Sequence, residues 1–134
     1  CRPLEMKIEC LDHLVLTVKD IEQTADFYQR VLGMHLITFG AGRKALSYGS
    51  QNINLHQHHQ EFEPKAQQPT PGSADLCFLT TTPLSQVIEH LRTCAIPIIE
   101  GPVPRTGAGG PIMSVYIRDP DFNLIELANQ LDVD

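Results

Sequence analysis

No stretch of this chain approaches the ~20 consecutive apolar residues that a membrane-spanning helix needs. Cations are scarce as well: ten Lys and Arg stand against sixteen Asp and Glu, a net charge of −6, and they form no stripe. Phosphate backbones are held by clustered cations, so neither nucleic acid nor a membrane is the expected partner. The four cysteines (Cys1, Cys10, Cys77, Cys94) contain no CxxC pair and are widely spaced, which argues against a disulfide framework. Cys77 and Cys94 sit at apolar-pattern positions and read as small core residues in a reducing compartment, the cytoplasm. No cysteine has a charged neighbourhood that would lower its pKa, which disfavours a thiolate nucleophile. Compact metal signatures such as HExxH are missing, and the glycine-rich run near residue 105 lacks GK[ST], so it is not a nucleotide loop. What remains is a small, locally recognised partner.

The 134 residues, 42% of them hydrophobic, suit one domain with its own core. Residues 1–10 read as an N-terminal extension and 11–130 as the domain. Cys1–Glu5 shows neither an initiator Met nor a signal-peptide core, and Met6 is the expected start.

Leu11–Val18 is β-branched and apolar, a strand with Leu14, Leu16 and Val18 on one face and His13, Val15 and Thr17 on the other. Asp20 opens a helix as N-cap with Gln23 at the capping-box position. Ile21, Ala25, Tyr28 and Leu32 recur at helical spacing, and Gly33 ends it. Strands follow at about 34–39, 44–48 and 52–56, the last alternating Ile53 and Leu55 against Asn52, Asn54 and His56. Residues 58–72 are polar and proline-rich, a linker long enough to suggest closure over a site.

The second half repeats the first. Residues 73–80 form a strand with Asp75, Cys77 and Leu79 on one face. Thr82 is placed to cap a helix whose first residue is Pro83, with Leu84, Val87, Ile88 and Leu91 on its stripe. Ile96–Glu100 reads as a strand that Pro97 confines to an edge. A glycine-rich loop over 101–111 leads to strands at 112–118 and 124–128. The pattern is α+β: two βαβββ modules, about 11–57 and 73–130, related by a pseudo-twofold.

The aliphatic faces serve to pack helices. The opposite faces of the first and last strands in each module carry His13, Asn54 with His56, Asp75, and Glu126. These are ligand types for a divalent first-row metal. They are also what the wet side of an antiparallel sheet ordinarily shows, and alternation alone leaves both readings open.

His13 in its strand, Phe27-Tyr28-Gln-Arg-Val-Leu-Gly33-Met, and Arg118-Asp-Pro-Asp-Phe-Asn-Leu-Ile-Glu126 together resemble the vicinal oxygen chelate superfamily. That superfamily holds glyoxalase I, bleomycin-resistance, fosfomycin-resistance and extradiol dioxygenase proteins. The stretches Arg43-Lys-Ala-Leu46, Asn52–His56, Glu61–Ala66 and Glu100–Ala108 resemble the glyoxalase domain-containing protein 5 group and related bacterial virulence-associated proteins. The resemblance covers nearly the whole chain from Leu11.

It implies modules that curl into a cup, and a metal bound at the first and last strands. The ligands fall on His13, Asp75 (commonly His) and Glu126. The fourth position, Glu in glyoxalase I, falls on Asn54, a weak neutral donor, so His56 is the alternative ligand. The implied ion is Mn, Fe, Ni or Zn. Phe122 stands where the family turn usually has Gly, and a type I variant turn is expected there.

The implied activity is that of a metal-dependent glyoxalase-like lyase or isomerase. Its substrate is a small oxygen-bearing electrophile such as a hemithioacetal, with Glu126 moving the proton. Alternatives are a non-catalytic sequestering protein of the bleomycin-resistance kind and a fosfomycin-type epoxide-opening enzyme. Arg105 is the candidate to hold an anionic substrate group, with Lys65, Tyr116 and Asn54 lining the site. The resemblance also implies a homodimer.

Overall fold

In each half of the chain a helix follows the first strand, and a three-stranded antiparallel meander then returns so that its last strand pairs parallel with the first. A computed structural model describes residues 4–132. The first module contains β1 (His13–Val18), α1 (Ile21–Arg30), β2 (His35–Phe39), β3 (Arg43–Tyr48) and β4 (Gln51–Gln57). The second contains β5 (Asp75–Leu79), α2 (Leu84–Thr93), β6 (Glu100–Gly107), β7 (Gly110–Arg118) and β8 (Leu124–Gln130). Their sheets have matching orders, β1-β4-β3-β2 and β5-β8-β7-β6. This is the α+β pair of βαβββ modules that the sequence pattern implies. No helix among the described residues is long and apolar enough to cross a membrane.

Local chemistry accounts for most boundaries. The Asp20 carboxylate accepts the N–H groups of Glu22 (2.9 Å) and Gln23 (3.3 Å), so α1 starts where expected. Gly33, at φ 69°, takes the left-handed turn that follows the helix. The start of α2 differs from expectation. Thr82 does not cap it; the first free amide, Leu84 N–H, donates to Asn129 Oδ1 at 2.7 Å, so β8 supplies the cap.

The second departure is larger. Ile96–Ile99 form no strand, and the expected glycine-rich loop is β6, the edge strand of its sheet. An edge strand leaves one side without a ladder, so Pro102 and Pro104 are tolerated there. Its register with β7 shifts between Glu100 and Val103. Gly101 has φ 112°, and a Cβ there would lie 2.5 Å from the Ser114 carbonyl oxygen. Only glycine fits that approach.

The aliphatic faces and both helices share one core, including Val18, Tyr28, Ile53, Leu91, Val115 and Ile125. Cys94 packs at its margin, but Cys77 does not belong to it: Leu76 and Phe78 point inward, so Cys77 lies exposed on the opposite face. The core expectation for Cys77 is thereby corrected, because strand parity overrides its apolar neighbours.

The turn after β7 fastens the modules together. Asp119, buried, accepts Tyr28 O–H (2.7 Å) and Asn123 Nδ2–H (2.8 Å) on one oxygen. Its other oxygen accepts the N–H groups of Asp121 and Asn123, both at 2.9 Å. Burial, reinforced by the Asp119 charge, drives the Tyr28 phenol far above its usual range, so it stays a neutral donor. Phe122 sits at φ 67° with 70% of its surface exposed. The turn is closed by the Phe122 N–H donating to Asp119 O at 2.9 Å, with Pro120 and Asp121 at its centre, and Phe122 as its fourth residue is left-handed, a strained conformation for a non-glycine residue.

Candidate functional site

The open face of the first sheet is set by register. His13 pairs with Asn52, Val15 with Asn54 and Thr17 with His56 across the parallel β1–β4 ladder. On β3, Ala45 pairs with Asn54, and Arg43 follows two residues on along the same face, itself paired with Phe39. His13 is exposed, and its Nδ1 lies 2.8 Å from the Asp12 carboxylate. Asn54 is half-buried.

The open face of the second sheet repeats this arrangement with different chemistry. Asp75 pairs with Leu124, Cys77 with Glu126, and Glu126 with Tyr116 on β7. Ser114 Oγ–H donates to Glu126 Oε2 at 2.6 Å, fixing that carboxylate and leaving its other oxygen toward the face. Asp75, Glu126, Arg105 and Tyr116 line one cavity of about 390 Å³. Arg105 lies on β6 rather than on a loop. Its Nε–H donates to Tyr116 Oη (3.0 Å), an Nη–H donates to Pro104 O (3.0 Å), and the remaining nitrogen lies 3.4 Å from Glu100. Burial, followed by the neighbouring Glu126 and Asp75 charges, pushes the Cys77 thiol up. Cys77 therefore does have charged neighbours, and their sign opposes a thiolate.

The two faces carry their donors at the same offset. From His13, Asn54 lies one strand over and two residues along; from Asp75, Glu126 lies one strand over and two residues along. Each step is a diagonal of about 8 Å, within reach of two side chains closing on one ion. His56 is different. It is four residues along from the His13 level, about 13 Å, and side chains standing perpendicular to a sheet do not close that gap. His56 is also 3% exposed, packed edge-on against Phe62 with ring centroids 5.7 Å apart. Register thus separates it from His13 as a co-ligand.

Among the described residues, no three His, Cys, Asp or Glu side chains gather where one ion could be held. Each sheet presents a pair of polar side chains of ligand type, His13 with Asn54 and Asp75 with Glu126. Lys65, from the 58–72 linker, shares a cavity of about 560 Å³ with His56 and Asp75. It lies 3.5 Å from both Glu61 and Glu63. Sequence reasoning missed Ser114 and Arg43. Both stand at the parity of the open faces and were identifiable by extending the alternation to the middle strands.

Residues 10–127 match the Glyoxalase/Bleomycin resistance protein/Dioxygenase superfamily, and the chain belongs to it. Particular relatives follow. The chain is 59% identical over 125 residues to Virulence protein STM3117 of Salmonella typhimurium, covering 93% of this chain and 87% of that protein. The crystal structure of STM3117 superposes with a TM-score of 0.93, covering 94% of this chain and all of that one (100%). The chain is also 55% identical over 128 residues to Glyoxalase domain-containing protein RDO1 of Mycosarcoma maydis, spanning 96% of this chain and 72% of that protein. Lactoylglutathione lyase from Agrobacterium tumefaciens shares the fold, with a TM-score of 0.70 at 21% identity over 92% of this chain and 96% of that one.

Proposed function

We propose that the protein is a glyoxalase-like lyase or isomerase whose metal site is completed between two copies of the chain. The observation that carries this reading is the identical register offset of His13/Asn54 and Asp75/Glu126, two half-sites that a single chain keeps apart. A C2 dimer places the first sheet of one copy against the second sheet of the other, twice. Histidine and carboxylates suit Mn, Fe, Ni or Zn, and Asn54 adds a neutral oxygen or leaves its place to water. A divalent ion bound there supplies Lewis-acid polarisation of a substrate oxygen.

The chain's own residues supply the rest. Glu126, oriented by Ser114, is the group that takes and returns a proton beside the polarised oxygen. Tyr116 accepts from Arg105 and so keeps its own O–H to offer a substrate oxygen. Lys65 belongs to the linker that shares a cavity with Asp75 and is positioned to close over the ligand. The substrate class is a small oxygen-bearing electrophile such as a hemithioacetal.

Elemental analysis and calorimetric titration of chelator-stripped protein test the reading. We expect binding tighter than micromolar for Ni, Zn or Mn, lost in His13→Ala and Glu126→Ala. Wild-type protein that takes up none of these ions overturns it. The weak Asn54 donor favours one second reading, a metal-free sequestering cup of the bleomycin-resistance kind. That reading predicts ligand binding indifferent to chelators.

A further inference from the structure

We propose that Arg43, His56 and Lys65 form an anion-binding corner on the first sheet, one that receives a carboxylate or phosphate group of the ligand. The argument begins with donors that lack partners. His56 is 97% buried (3% exposed), and its Nε2 is enclosed with no hydrogen-bond partner among the described residues. A buried polar atom left unmatched costs free energy unless a ligand matches it. His56 lines the 560 Å³ cavity together with Lys65 and the Thr17 and Ser73 hydroxyl residues, a volume suited to a small molecule.

Arg43, outside the cavity lining but packed on the same Phe62 ring as His56, adds the charge. Its guanidinium lies 4.6 Å from the Phe62 ring centroid and 5.3 Å from that of Phe39, a cation held by two aromatic faces. Among the described residues it has no carboxylate within 4.0 Å and donates no side-chain hydrogen bond. Arg105 is the contrasting case: Tyr116 and Pro104 O accept from two of its five N–H donors and Glu100 lies 3.4 Å away, so its charge is already partly matched. Lys65 is held by Glu61 and Glu63 only at 3.5 Å, longer than the roughly 2.8 Å of a close charge-assisted bond.

The acidic groups near this corner are Glu61, engaged by Lys65 and the His59 amide, Glu63, also beside Lys65, and Asp75 in the cavity lining. Burial first, and then the Arg43 charge, hold the His56 imidazole below its ordinary range. A neutral ring still offers one N–H. Placing a ligand's anionic end here directs its other end toward Asp75. That step rests on the proposed metal reading, whereas the corner itself does not.

The test uses the 134-residue chain stripped of metal by chelator and then desalted, so that anion binding and metal binding fail independently. Inorganic phosphate, pyruvate and uncharged acetone are titrated by calorimetry and by ¹⁵N NMR of the histidine rings. We expect phosphate or pyruvate, but not acetone, to bind and to shift the His56 resonances. Pyruvate alone identifies a carboxylate site, and phosphate alone a phosphate site. Arg43→Gln and His56→Gln should each weaken binding at least tenfold, Arg43→Lys less, and Arg105→Gln by less than twofold. Circular dichroism melts verify that each variant is folded. Two results overturn the corner: anion binding that survives Arg43→Gln and His56→Gln, or binding lost in Arg105→Gln instead. No binding by either anion overturns it as well.

Discussion

If the metal site is divided between copies, two inactive chains should restore each other. In His13→Ala the chain keeps Asp75 and Glu126; in Glu126→Ala it keeps His13 and Asn54. Each homodimer then lacks one donor at both of its sites. Losing a direct ligand should weaken metal binding by more than about 100-fold, because even outer-shell partners are worth 10- to 100-fold. A mixed dimer behaves differently. One of its sites pairs His13 of the second chain with Glu126 of the first and is intact, while the other lacks both donors. Co-expressing the two chains in equal amounts makes half of all dimers mixed. Each of these carries one intact site of two, so about a quarter of wild-type sites should return. Differently tagged chains allow the mixed species to be purified, where occupancy should reach about half. Cobalt absorption or nickel calorimetry measures the recovered sites, and native mass spectrometry verifies that mixed dimers are present. Mixed dimers that form and bind no more metal than either parent would refute the shared site.

Three further predictions concern the frame that carries the half-sites. Phe122→Gly should raise stability by about 1 kcal/mol, seen as a higher Tm, because Phe122 is mostly exposed and pays a left-handed penalty that glycine lacks. Gly72→Ala should cost at least about 2 kcal/mol in urea denaturation, since φ is 82° and the added Cβ would meet the Asp121 carbonyl oxygen at 2.6 Å. Asp121→Asn should stabilise at pH 7 and lose that advantage as the solution is acidified. Burial raises the Asp121 carboxyl, opposed in part by the Lys19 amide, so the wild-type side chain favours folding below its unfolded pKa and costs stability once pH rises through the folded one. Chemical denaturation at pH 7 and at about pH 3.5, below the ordinary Asp range, compares the two chains.

Strand parity was legible in the sequence because its period of two is set by the backbone, not by context. Leu14, Leu16 and Val18 inward against His13 outward, and Ile125 and Leu127 inward against Glu126, follow from it directly. What defeated the reading were positions where a neighbouring segment decides. Residues 101–111 carry glycine and proline enough for a loop, yet β7 holds 101–107 as an edge strand whose one ladder survives the prolines. Thr82 was a sound local cap, but Asn129, 45 residues from Leu84, reaches the amide instead. Cys77 has the small apolar character of a core residue, but it shares the face of Asp75, and parity decides its exposure.

For the site, alternation nominates five polar residues and does not rank them. Register does. Alternation places Asn54 and His56 on one face, and only the pairing of His13 with Asn52 shows that one lies two residues along and the other four. The same pairing on the second sheet gives Asp75 and Glu126 the offset of His13 and Asn54, so the four positions form two equivalent pairs and His56 stands outside them. That separation bears on Asn54. On the proposed reading it stays a weak neutral donor, the member of a pair whose counterpart is the Ser114-oriented Glu126. A neutral donor opposite a charged one makes the two halves chemically unequal. On the proposed reading the proton-moving group has one position in each site, Glu126, and the first sheet holds and orients the ligand.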